Sequence, residues 1–183
     1  MRHRQPDAAE AEYRTALRLD PRFVPAMVDL ADLDRARGQD ASGAALLRQA
    51  MAIEPDNADI RHALGLLLVR QHDYADALPL LRRASELAPD NARYAYVYAI
   101  ALNSAGQPRQ AIALLKQAHQ AHPADWDVLL GLAMIARDAG DLPTALQAAR
   151  DMFAIRPTDP QIRGLLQSLE AAQQSVPGSA APR

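Results

Sequence analysis

The chain contains no cysteine, few aromatic residues and no long apolar run. The absence of cysteine excludes disulfides, thiolate metal sites, covalent haem attachment and cysteine nucleophiles. Aromatic residues make up only 4% of the 183 residues, whereas hydrophobic residues make up 49%. A core of this composition must be built from the 39 alanines and 25 leucines. Both favour helix, and the shortage of aromatic residues argues against a β-sandwich or barrel.

Strong charge and targeting signals are absent as well. The formal net charge is −2, so nothing draws the whole chain to nucleic acid or to an anionic membrane, and we predict neither partner. No apolar run approaches the roughly 18 residues of a membrane span. Residues 1–7 are basic but precede no apolar stretch. The sequence as written therefore predicts no signal peptide and a cytoplasmic location, or a periplasmic one if it is part of a longer secreted protein.

The most informative feature is an internal repeat. Prolines recur at a constant step of 34 residues, and columns of small or large apolar residues keep the same step. Two helices per repeat explain the columns, because small residues recur where helix backbones approach and large apolar residues recur beside them. The prolines are Pro21, Pro55, Pro89, Pro123 and Pro157, the alanine column is Ala16, Ala50, Ala84 and Ala118, and the large column is Leu30, Leu64, Tyr98, Leu132 and Leu166.

Helix start and stop signals agree with this period. Candidate N-caps stand two residues after four of the repeat prolines, at Asn57, Asn91, Asp125 and Asp159. The first helix of each pair is predicted to stop at mid-repeat, at Gly38, His72, Gly106 and Gly140.

The fold class predicted from these signals is all-α, a right-handed α-solenoid of stacked helix-turn-helix units. A half repeat covers 7–23, with its helix at about 7–19. Complete helix pairs follow at 24–57, 58–91, 92–125 and 126–159, and a C-terminal capping helix covers 160–172. Residues 173–183 have no periodicity and are expected to be a disordered tail.

The sequence resembles the tetratricopeptide repeat (TPR) family over about 7–172. The period of 34 and the helix-turn-helix unit are those of the family, and the clearest copy of its pattern is Leu64-Gly65, Ala77, Leu81, Ala84 and Pro89. A second, narrower resemblance is to the C-terminal TPR arrays attached to bacterial secreted multihaem cytochromes. The stretches 22–26, 62–71 and 92–99 carry it, although no haem attachment can be inferred without cysteine.

The TPR resemblance implies a scaffold for protein–protein interaction rather than an enzyme. In this family the first helix of each pair lines a concave groove that binds an extended peptide or a partner helix. The groove positions form an apolar centre flanked by arginines, so the expected ligand is a protein or peptide with apolar and acidic character. They are Val28, Arg35, His62, Leu66, Val69, Arg70, Arg93, Tyr96, Ile100, Asn103, Leu130, Met134 and Arg137.

The opposing interpretation is that the apolar groove residues pack against neighbouring repeats and the arginines are merely solvated. For Leu66 and Ile100 the two interpretations are about equally favoured. Tyr96 fits the groove better, because rigid amphipathic side chains are enriched in binding hot spots. Tyr98 lies in the large apolar column and is expected in the core, whereas Tyr94 is expected to pack at a neighbouring repeat.

No arrangement of residues predicts catalysis, a metal or a cofactor. His119 and His122 share a helix face, but neither a carboxylate nor a third histidine lies at a helical step to complete a site. We interpret them as a solvated pair near a helix end. Trp126 is expected to cover the turn beside Pro123 rather than to stack on a ligand.

Two classes of function therefore remain. The first is an adaptor or scaffold, and the second is an accessory TPR segment of a larger enzyme or multihaem redox protein whose active domain is absent from this chain. The chain begins at a second helix, whose apolar side (Ala9, Tyr13, Ala16 and Leu17) is expected to pack on the first full repeat. Because that helix has no first helix of its own, its other flank is predicted to self-associate or to dock onto an upstream domain.

Overall fold

A computed structural model describes residues 4–175, with side chains from residue 7 onward, and within this range it contains ten α-helices and no strand. In chain order the helices are α1 (Arg4–Leu19), α2 (Val24–Ala36), α3 (Asp40–Ile53), α4 (Ala58–Arg70), α5 (Tyr74–Leu87), α6 (Ala92–Ser104), α7 (Pro108–Ala121), α8 (Trp126–Asp138), α9 (Leu142–Ile155) and α10 (Pro160–Ser175).

The helices form two compact units that divide between Pro89 and Asp90. In the first unit each of α1 to α4 packs on the next helix along the chain. In the second unit each of α6 to α9 does the same, and α6 also contacts α8, the first helix of the following pair. Short turns between successive helices make the neighbours antiparallel. Each unit is all-α and consists of stacked helix-turn-helix pairs, as predicted.

The helix bounds follow the predicted pairs closely. Helices α2 to α9 fall inside the four full repeats, two helices to each. Helix α1 begins at Arg4, three residues before the predicted start, and α10 continues to Ser175 instead of ending at 172. Residues 173–175 are therefore helical, and the rest of the predicted tail, 176–183, lies outside the described residues.

The turns within each repeat have the backbone that the sequence predicted. Gly38, Gly106 and Gly140 adopt φ of 74°, 76° and 79°, and His72 adopts φ of 60° in the same role. This left-handed conformation ends a helix and suits glycine because glycine has no Cβ. Three of the four predicted N-caps bond a backbone amide, namely Asn57, Asp125 and Asp159, whereas Asn91 occupies the position without a side-chain bond.

The core consists of the repeat columns. Leu64 and Leu81 are 1% and 0% exposed, and Ala84 and Ala118 are buried where second helices meet their neighbours. Tyr98 departs from its column, because it is only partly buried, whereas Tyr94 is buried. Tyr94 and Tyr98 are four residues apart on the same helix, and the fold buries the first ring more deeply than the second.

Packing between the helices buries or partly buries most of their large apolar side chains, while Leu19, Leu130 and Ile155 stay exposed. Within the part of the chain that the structure describes, no helix combines the length and the hydropathy needed to cross a bilayer.

Candidate functional site

In the first unit the candidate surface lies on α2 and α4, the first helices of two successive pairs. Spacings of three and four residues place the predicted side chains along one face of each helix. Val28 and Val69 are partly buried and pack against the core of this unit, while Leu66 is also partly buried. The apolar side chains at these positions are therefore neither fully buried nor fully exposed.

The polar members of this surface are engaged locally. Arg35 pairs with Asp32 on its own helix at 3.1 Å, and Arg70 donates from Nε to Asp40 Oδ2 at 3.0 Å. His62 is buried, with 8% of its surface exposed, so it has little area to offer a ligand. Among the thirteen predicted groove residues it is the one that the fold has placed in the interior.

In the second unit the candidate surface lies on α6 and α8, which contact each other. Tyr96, Ile100 and Met134 are partly buried, and Leu130 is 37% exposed. Arg93, Asn103 and Arg137 are exposed at its margins. Arg137 pairs with Asp138 at 2.8 Å, whereas Arg93 makes no ion pair among residues 7–175.

Tyr96 owes its position to a glycine on the neighbouring helix. A Cβ at Gly131 would lie 3.1 Å from Cε2 and 3.3 Å from Cδ2 of the tyrosine ring. The missing side chain therefore lets the ring of α6 lie against the backbone of α8. This contact holds the ring in place and leaves part of it exposed, which is the condition that favours a binding hot spot.

Among the described residues there is no group of three or more His, Asp and Glu side chains placed to hold a metal ion. The predicted histidine pair is divided, because His119 Nε2 lies 3.2 Å from Asp151 Oδ2 on α9 while His122 forms the C-cap of α7. His119 thus links two second helices, and a cavity of about 350 Å³ beside it is lined in part by Leu132 and Pro143.

Several contacts were not foreseen from the sequence. The guanidinium of Arg156 lies 4.0 Å from the ring centroid of Trp126, so the indole packs under a cation from the turn after α9. Gly131 had a signal that could have been noticed, since the residues at the same step, Asp29, Ala63 and Val97, all carry side chains. The partners of Arg156 depend on distant parts of the chain and left no such signal.

Comparison with protein families gives a match over more than half of the chain. The model of the cytochrome c-type biogenesis protein H TPR domain matches residues 44–162, which is 119 of the 183 residues. A search of curated proteins gives no significant match.

Solved structures with this fold share 20% or less of their sequence with this chain in the three examples that follow. The crystal structure of MamA has a TM-score of 0.70 at 17% identity and covers 92% of this chain and 91% of its own. YrrB, described as a TPR protein with an unusual peptide-binding site, has a TM-score of 0.72 at 20% identity, and the match covers 93% of this chain and 84% of YrrB. A TPR protein from Parabacteroides merdae has a TM-score of 0.76 at 14% identity, and the match covers 92% of this chain and 67% of that protein. At these identities the likeness concerns the fold alone.

Proposed function

Because the chain belongs to the family of the cytochrome c-type biogenesis protein H TPR domain, we propose that it binds polypeptides handled during cytochrome c biogenesis. TPR domains are protein-interaction scaffolds, and the proposed ligand is a peptide or partner helix held on the first helices of the repeats. The proposal includes that the chain performs no catalysis of its own.

The observation that carries this proposal is the surface of α6 and α8. Tyr96 is held against Gly131 with part of its ring exposed, and Leu130 beside it is 37% exposed. Arg93, at the edge of the same surface, makes no ion pair among the described side chains, so its charge is available to a ligand. A segment with apolar anchors and an acidic side chain complements these groups.

The same logic extends to the first unit with less exposed apolar area. Leu66 and Val69 are partly buried, and Arg70 is exposed although it bonds to Asp40. We propose that Val28, Arg35 and these residues form a separate, weaker contact surface on the first unit. We infer that His62, which is 8% exposed, supports α4 rather than contacting a peptide.

The test is a binding assay with overlapping synthetic segments of a c-type cytochrome polypeptide. Tyr96→Ala should weaken binding of the best segment by about tenfold or more, as expected for a hot spot, with the melting temperature nearly unchanged. Tyr74→Ala is the matched control, since Tyr74 opens a second helix and is also partly buried.

A second variant separates binding from folding. Gly131→Ala should displace the Tyr96 ring by steric contact and weaken the same segment while Tyr96 itself is unchanged. If Tyr96→Ala loses stability and affinity in equal measure, Tyr96 belongs to the core and the proposed surface is wrong.

The family also supports the second candidate, an accessory TPR segment of a larger enzyme or multihaem redox protein. The shared observation is the link to cytochrome c, which is the subject of the matching family and of the narrower sequence resemblance. Co-purification of the chain with a haem-containing protein encoded beside it would favour this candidate. Binding to unmodified cytochrome segments alone would favour the scaffold.

Self-association is a further part of the proposal. Leu19, at the end of α1, is 84% exposed, and Phe23, just before α2, is 43% exposed. We propose that these side chains, together with the outer flank of α1, mediate contact between two copies. Light scattering should show a rising molecular mass with concentration, and Leu19→Ser with Phe23→Ser should abolish the rise. A wild-type chain that stays monomeric at high concentration contradicts this part.

A further inference from the structure

Helix α1 is attached differently from every other helix. None of its residues from 7 to 19 is buried, whereas each of the other nine helices has at least two buried residues. Its apolar stripe of Ala9, Tyr13, Ala16 and Leu17 is only partly buried where α1 packs on α2. Apolar burial therefore contributes less to holding α1 than to holding any full repeat.

The sequence of α1 explains this shallow packing. The positions equivalent to Glu10 in the later second helices, at successive steps of 34 residues, are Ala44, Leu78, Ile112 and Leu146. The positions equivalent to Glu12 are Leu46, Leu80, Leu114 and Ala148. Two apolar columns thus begin with carboxylates. Glu12 is exposed, whereas the Glu10 carboxylate contacts Arg37, the residue that follows α2.

Charge takes the place of the missing apolar contacts. The guanidinium of Arg37 contacts Glu10 Oε2 through Nη1 and lies 2.6 Å from Asp7 Oδ1 through Nη2. Arg14 completes the group with its Nε 2.8 Å from the other oxygen of Glu10. Asp7 and Glu10 are one helical turn apart, so both can reach a single guanidinium at the end of α2.

We propose that α1 is a displaceable strap, and that the face of α2 beneath it is a docking site for an amphipathic helix of another protein. By analogy with α1, that helix must carry an apolar stripe of small residues with one aromatic ring and one leucine-sized side chain, and two carboxylates one turn apart that pair with Arg37. This site lies where α1 packs on α2, whereas the surface that carries the proposed function lies on α6 and α8.

Exposed ion pairs are screened by salt, whereas buried apolar contacts are not. The attachment of α1 should therefore weaken as ionic strength rises, while α4 and α5, which are joined by buried leucines, stay attached. The strap opens without global unfolding, and the face of α2 becomes available.

The first test measures amide hydrogen exchange of the full chain. Arg37→Gln should speed exchange in α1 by about threefold to tenfold, which corresponds to the loss of one or two partly exposed ion pairs. Arg35→Gln is the matched control, since Arg35 is on the same helix but pairs with Asp32 within it. Equal exchange of α1 in the two variants would show that charge does not hold the strap.

The second test asks whether the site accepts a helix from outside. A labelled peptide of residues 4–19 is titrated into the full chain and into the variant with Asp7→Asn and Glu10→Gln, and binding is followed by fluorescence anisotropy. The variant loosens its own α1 but keeps Arg37, so it should bind the peptide about threefold to tenfold more tightly than the wild type does. Adding Arg37→Gln should remove the gain.

Glu12→Gln serves as the control variant within α1, because Glu12 is exposed and contacts neither Arg37 nor Arg14. The proposed docking site is wrong if the peptide binds the wild type and the variant with Asp7→Asn and Glu10→Gln equally well, or if it binds neither. Loss of the proposed peptide surface on α6 and α8 would leave these measurements unchanged, so the two proposals fail separately.

Discussion

Asp34 is a carboxylate in a place where two other repeats have leucine. It is 1% exposed, and its Oδ2 atom accepts no hydrogen bond. At the same step along the chain stand Leu68 and Leu102, both buried. A buried acceptor without a partner costs about 1–3 kcal/mol of stability. We therefore predict that Asp34→Leu stabilises the protein.

The surroundings allow the larger apolar side chain. Gly43, on the facing second helix, would place a Cβ 3.5 Å from the Cβ of Asp34. In the next two repeats the corresponding residues are Ala77 and Ala111, so the leucines there pack beside a methyl group that is missing at Gly43. The residue that faces position 34 is thus smaller than the alanines that face the two leucines, although the Ala31 carbonyl oxygen and Leu67 Cδ1 already lie 3.0 and 3.1 Å from the position of the missing Cβ.

The expected gain is about 1–3 kcal/mol in the free energy of unfolding, because removal of the unpaired oxygen is joined by added apolar burial. Attraction between Asp34 and Arg37 is lost and offsets part of this gain. For a chain of this size each kcal/mol corresponds to about 2–4 °C in Tm.

The assay is urea unfolding at neutral pH, with Asp34→Asn as the intermediate case and Leu68→Asp as the reciprocal change. Asp34→Asn removes the charge but keeps a polar group, so its gain should be smaller. Leu68→Asp should destabilise strongly, by about 3 kcal/mol or more, because it buries an uncompensated charge. A less stable Asp34→Leu protein would refute the reasoning and show that the carboxylate is favourably bound.

The packing of the helices and one of their caps give three more expectations. Ala84→Leu should cost about 1–3 kcal/mol by overpacking, since Ala84 is 0% exposed, and an unchanged melting temperature would show that the column is not an interface. Gly65→Ala should also lower the stability by about 1–3 kcal/mol, although alanine is common in that column, because the new Cβ would lie 2.6 Å from Cγ of Leu81. An unchanged melting temperature would mean that Leu81 moves freely. The Thr144 hydroxyl, which donates to Asp141, lowers the pKa of that carboxyl, so the stability it adds is present above the ordinary aspartate pKa of about 3.9 and is lost as pH falls through the lower folded value. Thermal unfolding from pH 7 to pH 2 should show Thr144→Val less stable at neutral pH and equal to the wild type at the acid end, and a constant difference would contradict this assignment.

The repeat, the helix pairs and most of the core columns can be read from the amino-acid sequence. They depend on local signals, since a 34-residue step of small and large apolar residues assigns each helix its packed face. The turns at Gly38, Gly106 and Gly140 also follow from local backbone preference. Periodicity and composition are for that reason sufficient to place Leu64, Leu81 and Ala84 in the core.

The meeting of side chains across helices depends instead on how the helices pack in three dimensions. Periodicity defines a face but not the partner on the next helix, so it could not show that Tyr96 lies on Gly131 or that His62 is buried while its neighbours are not. The burial of Tyr94 and the partial exposure of Tyr98 have the same origin, because the burial of each ring depends on the helices packed around it. The contact of Arg37 with α1 joins residues about thirty positions apart, and no local pattern records such a pairing.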